Sequence, residues 1–127
     1  MGANSFNALA KFEEIYRYLA NAMMSKKVPP AMKYSVGEDI LSGYMDVGSK
    51  VYMANQYRLA GKTYKAKQLV TQAYEDFQRV EYKVRLYSQD PRTRIKRDYV
   101  FGLETEFKNM LLGWSDSLTN QPRREMD

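Results

Sequence analysis

Between Lys62 and Tyr87, apolar side chains recur at Ala66, Val70, Ala73, Phe77, Val80, Val84 and Tyr87, alternating steps of four and three residues without a miss. That spacing keeps one stripe of an α-helix facing its neighbours and is out of phase with the two-residue repeat of a strand. The stretch therefore predicts a helix whose stripe needs other elements to cover it. Three further segments supply the cover. Leu9, Phe12, Tyr16, Leu19 and Met23 form a helical stripe that Ile15 and Ala22 widen. From about Met32 to Tyr57, Val36, Ile40, Tyr44, Val47, Val51 and Ala54 share a face. Gly37, Gly43 and Gly48 interrupt this second segment, each at roughly 1 kcal/mol of helix propensity, and their small size permits close helix contact. The last segment predicts Asp90 as N-cap and Pro91 as first helical residue, followed by Val100, Leu103, Phe107, Met110, Leu111, Trp114 and Leu118.

Pro29–Pro30, the stretch from Asn55 to Gly61, and Asp90–Pro91 are the breaks between segments. Short connections place consecutive helices antiparallel, so the sequence predicts an all-α chain, an antiparallel up-down-up-down four-helix bundle. Its 127 residues suit one domain spanning 1–127, ordered over about 6–119, with 120–127 a frayed tail. No apolar run approaches the length of a membrane span, and the reading is of a soluble, cytoplasmic protein.

Histidine and cysteine are both absent. Without them the chain lacks the commonest metal ligands, thiol nucleophiles, imidazole-based triads and any disulfide framework. Di-iron bundles, which need inward Glu-x-x-His motifs, are excluded. The expectation is a protein with no catalytic residue, metal or cofactor. Glu13/Glu14, Glu38/Asp39 and Glu104/Glu106 are the carboxylate pairs that acid–base or metal chemistry would use. They fall mostly off the apolar stripes and read as solvated helix faces. Glu75 with Arg79 and Glu81 with Arg85 read as i,i+4 surface ion pairs. Gly61–Thr63 lacks the upstream glycine of a phosphate-binding loop.

Positive charge is more informative. Lys and Arg total 20 against 15 Asp and Glu, a net charge of +5. Antiparallel packing gathers Lys26, Lys27, Lys33, Lys83, Arg85, Arg92, Arg94, Lys96 and Arg97 at one end of the bundle, against Glu38, Asp39, Glu81, Asp90 and Asp98. Read as opening turns of a helix, Arg92, Arg94, Lys96 and Arg97 oppose the helix dipole by about 0.3–1 kcal/mol each. Folding alone does not select that placement, whereas contact with phosphates offsets it. Arg58, Lys62, Lys65 and Lys67 make a second group at the opposite end. The candidate nucleic-acid-binding residues are thus Arg92, Arg94, Lys96, Arg97, Lys62, Lys65, Lys26 and Lys27.

Tyrosine is abundant, 11 of 127 residues, with Tyr18, Tyr52, Tyr57, Tyr64, Tyr74 and Tyr82 off the core stripes. Such rings suit subunit interfaces and base stacking, and their position on helices favours the interface. The eight methionines read as adaptable filler of cores and interfaces.

In this order of elements the chain resembles the accessory variability determinant (Avd) proteins of diversity-generating retroelements, which belong with the bundle proteins encoded in ribosomal RNA intervening sequences. The resemblance runs from about Phe12 to Leu118. It rests on KFEEIYRYL, a Pro-containing loop, YSVGEDILSGYMDVGSKVYMAN, KTYKAKQLVTQAYEDFQRVEYKVRL and the LLGW close of the last helix. It implies a non-enzymatic, barrel-like homopentamer that binds the retroelement's reverse transcriptase and its template RNA, with a basic surface that contacts RNA or DNA, in support of mutagenic retrohoming. Two alternatives stay open. One is an intervening-sequence bundle protein with other RNA or protein partners. The other is a small ligand-binding bundle or enzyme, which would need a polar pocket that the near-unbroken apolar seams disfavour.

Overall fold

A computed structural model describes the backbone of residues 2–120 and the side chains of residues 7–120. The described residues are helical, with no strand. Helix α1 spans Gly2–Met23. A short α2, Pro30–Met32, a π-helical turn, Lys33–Gly37, and α3, Glu38–Leu59, run on as one rod. Helix α4 spans Thr63–Tyr87, and a 3-10 turn, Pro91–Thr93, precedes α5, Arg97–Thr119. These make four long helical rods in a helical bundle. No helix among the described residues is long and apolar enough to cross a membrane. The 120–127 tail lies outside the described residues apart from Asn120.

The predicted stripes form one core. Phe12, Ile15, Leu19 and Met23 of α1 are buried against Ile40, Tyr44, Val47, Val51 and Ala54 of α3. Ala66, Val70, Ala73, Phe77, Val80 and Val84 of α4 and Val100, Phe107, Leu111, Trp114 and Leu118 of α5 complete it. Phe77 meets Tyr44 edge-on at 5.6 Å and Phe107 at 4.8 Å, and Phe12 lies 6.0 Å from Phe107, so four rings join all four rods. Two glycines set how closely the rods approach. A Cβ on Gly48 would lie 2.5 Å from the Phe12 ring, and one on Gly43 would lie 2.9 Å from Val80 Cγ2. Their cost in helix propensity is offset by packing that no larger residue permits. Gly61, at φ 78°, turns the chain from α3 into α4.

Cross-rod pairings descend along one helix as they ascend along the next. Asp39 meets Lys83 at 3.0 Å and Lys50 pairs with Asp76 between α3 and α4. Glu81 meets Lys108 at 3.0 Å, and Lys67 donates to Thr119, between α4 and α5. Lys11 of α1 reaches Glu106 of α5 at 2.8 Å.

Three sequence expectations are corrected. Pro91 does not open the last helix. The turn it begins ends at Arg94 in the left-handed region (φ 63°, ψ 17°), and α5 starts at Arg97. Arg92, Arg94 and Lys96 therefore lie outside the helix, and the dipole argument reaches only Arg97. Arg79 pairs with Asp76 at 2.6 Å rather than with Glu75. The third correction concerns carboxylates. Glu13, Glu38 and Glu106 are exposed, but Glu104 is fully buried and Glu81 nearly so.

Glu104 accepts a hydrogen bond from the Tyr44 hydroxyl in the middle of the ring cluster. Burial raises its pKa to about 7, the Tyr44 bond works the other way, and the neighbouring Glu81 charge raises it further. Glu81 is held by Lys108 and, at 3.6 Å, by Arg85. Burial and the Glu104 charge push the Tyr44 hydroxyl well above its ordinary pKa, so Tyr44 remains the donor. The apolar seam of α5 is thus interrupted at its centre by one carboxyl group.

Candidate functional site

The end of the bundle where α1 runs out and α5 begins is built from two anchored loops. After Met23 the chain turns through Ser25, whose Oγ accepts the Lys27 N–H at 3.2 Å and whose carbonyl accepts the Val28 N–H at 3.0 Å. Val28 is buried, so the turn is pinned from inside while Lys26 and Lys27 remain exposed.

The second loop works by alternation. Asp90 accepts the Arg92 N–H at 2.9 Å and the Arg92 guanidinium at 2.7 Å, which caps the 3-10 turn and holds the Asp90 carboxyl below its ordinary pKa. Thr93 is buried, with its hydroxyl donating to the Asp90 carbonyl at 2.9 Å. Ile95 is buried two residues later. Between and beyond these anchors, Arg94, Lys96 and Arg97 are exposed. Extended backbone at Lys96, φ -84° and ψ 103°, completes the in-out pattern. The Lys96 N–H donates to the Tyr18 hydroxyl at 2.7 Å and ties this segment to α1.

Aromatic rings line the same end. Tyr18 lies against Tyr99 with ring centroids 4.8 Å apart. The Arg85 guanidinium sits 4.3 Å from the centre of the Phe101 ring and that of Arg97 5.7 Å from it. Lys96, Arg97, Asp98, Tyr99 and Phe101 border a concavity of about 670 Å³.

The candidates thus divide. Arg94, Lys96 and Arg97 occupy one short segment, with Lys26 and Lys27 at the same end of the bundle. Among the described residues none of the five makes an ion pair. Arg92 is exposed, yet its charge is matched by Asp90. Lys83 and Arg85 are likewise matched, by Asp39 and Glu81. Lys62 and Lys65 stand at the far end of α4, which spans about 37 Å at roughly 1.5 Å per residue over its 25 residues. There the Lys62 N–H donates to the Tyr57 carbonyl at 2.8 Å, and Lys65 Nζ lies 5.7 Å from the centre of the Tyr57 ring. The two groups form separate surfaces.

Of the off-stripe tyrosines, Tyr52, Tyr64 and Tyr82 are exposed, while Tyr18, Tyr57 and Tyr74 pack partly against the core. Sequence reasoning passed over Tyr99 and Phe101, whose signal was their place just after Lys96 and Arg97 in the sequence. Among the described residues no three acidic side chains converge to hold a metal ion. Glu104 has no exposed surface, so a ligand would have to open the core to reach it. Comparison with protein-family models, curated proteins and solved structures gives no match to this chain.

Proposed function

We propose that the chain is a non-catalytic accessory subunit of the Avd kind. In this reading it is an antiparallel up-down-up-down four-helix bundle that assembles as a homopentamer in the cytoplasm. It binds the retroelement's reverse transcriptase and template RNA. The observation that carries the nucleic-acid part is the segment Arg94–Arg97, where buried Thr93 and Ile95 hold outward three cations that make no ion pair among the described residues. A left-handed arginine costs about 1 kcal/mol and here carries an exposed side chain, so the placement suits a ligand better than it suits folding. Half-exposed Met45, Tyr52 and Leu59, seven residues apart along α3, support self-association. The descending order of the cross-rod pairings supports the antiparallel arrangement.

Native mass spectrometry of the chain alone, and mixed with a reverse transcriptase encoded beside it, tests the reading. A five-chain species that retains the polymerase and RNA at moderate salt is the expected result. A monomer of 14.9 kDa that captures neither overturns it.

A further inference from the structure

The surface at the start of α5 carries two kinds of chemistry in one short stretch. Lys96 and Arg97 supply positive charge, and Tyr99 supplies a ring that is 48% exposed. That ring is not loose. One side rests on Tyr18, and Tyr18 is itself fixed by accepting the Lys96 N–H. Phe101, on the other border of the concavity, is half-buried beneath the Arg85 and Arg97 guanidiniums. Arg97 is therefore oriented by a ring rather than by a carboxylate, which leaves its charge available to an anion. Among the described residues the Asp98 carboxylate is the one acidic group bordering the concavity.

A rigid, half-exposed ring beside unmatched cations matches a polyanion whose flat faces are accessible. In a duplex the base faces are hidden in the stack, and only phosphates and groove edges are offered. In a single strand the faces are free, and stacking on an aromatic ring is sequence-tolerant. Resting on the reading of this end as a nucleic-acid interface, we infer that the concavity takes single-stranded RNA, with one base stacked on Tyr99 and its flanking phosphates on Lys96 and Arg97.

The test measures binding of a 15-nucleotide single-stranded RNA and a 15-base-pair RNA duplex to the full chain by fluorescence anisotropy. The wild type is expected to prefer the single strand. Tyr99→Leu, which keeps apolar bulk against Tyr18 but removes the ring, should weaken single-strand binding roughly 5- to 150-fold, the range of one base–aromatic stack. Duplex binding should stay within about twofold, and Tyr99→Phe should retain the wild-type preference. Asp98→Asn should tighten both by removing a repulsive charge.

A single-strand affinity unmoved by Tyr99→Leu, or an equal loss for both RNAs, overturns the stacking inference. Should Tyr99→Leu fail to fold, ultraviolet cross-linking of the wild type to 5-iodouridine RNA decides the matter. Attachment at Tyr99 supports the inference and attachment elsewhere overturns it. Failure of the underlying reading looks different. In that case the triple variant Arg94→Ala, Lys96→Ala, Arg97→Ala binds both RNAs as the wild type does, or the wild type binds neither and the surface belongs to a protein partner.

Discussion

Replacing Glu104 by glutamine should make the protein more stable at pH 8 and leave it nearly unchanged at pH 4.5. Glu104 is fully buried, and its pKa rises from 4.5 to about 7, mainly through burial. Between those values the folded chain holds a proton that the unfolded chain has released. Stability contributed by the neutral carboxyl is complete below pH 4.5, falls as pH rises, and levels off above 7. At roughly 1.4 kcal/mol per pH unit, that interval amounts to about 3 kcal/mol. Glutamine never ionises, and its carbonyl can still accept from Tyr44. The assay is urea unfolding followed by circular dichroism at pH 4.5, 6, 7 and 8, at fixed protein concentration because self-association would add its own stability. The variant-minus-wild-type difference should grow by about 1–3 kcal/mol toward high pH, and subtracting the wild type removes the contributions of other carboxylates. A difference flat to within about 0.5 kcal/mol across the range refutes the reasoning.

The same structure fixes other outcomes. Tyr44→Phe removes the donor to Glu104, and should cost about 1–3 kcal/mol at pH 8 and less at pH 5; equal losses would mean that the bond does not favour the ionised form. Gly48→Ala should destabilise by about 1–3 kcal/mol, because the added methyl meets the Phe12 ring. Gly113→Ala, with nothing within 4 Å of the new methyl, should instead stabilise by up to about 1 kcal/mol, so thermal melts that rank the two alike would refute the packing argument. Arg94→Gly relieves the left-handed backbone, and should keep the unfolding free energy from urea titration within about 1 kcal/mol of wild type while weakening RNA binding; a larger stability loss would show that the arginine serves the fold.

Periodicity made the four rods and most of the core legible, because each stripe is a local pattern that burial then satisfies. The α4 seam needed no tertiary knowledge, and Gly43 and Gly48 were readable as contact glycines. Where the sequence misled, a nonlocal partner decided. Val100, Glu104, Phe107, Leu111, Trp114 and Leu118 alternate four and three. Glu104 therefore stands on the seam itself, and a charge-based reading set that spacing aside. Tyr44, 60 residues away, supplies the donor that makes its burial tolerable. Asp90–Pro91 carries a valid helix-start signal and caps a helical turn, but burial of Thr93 and Ile95 breaks the chain at Arg94 before α5 begins. That break turns a row of helix-start cations into an outward-facing segment. The basic end was readable as composition, whereas the matching of Arg92 by Asp90 and the support of Tyr99 by Tyr18 required coordinates.

The central claim is that the Arg94–Arg97 segment neutralises nucleic-acid phosphates. The direct measurement is the single-stranded RNA association constant from 50 to 300 mM salt, for the wild type and for the triple alanine variant of Arg94, Lys96 and Arg97. Each phosphate contact on a single strand contributes about 0.7 to the slope of log K against log salt, so loss of three contacts should flatten the slope by about 2. Identical slopes would contradict the account.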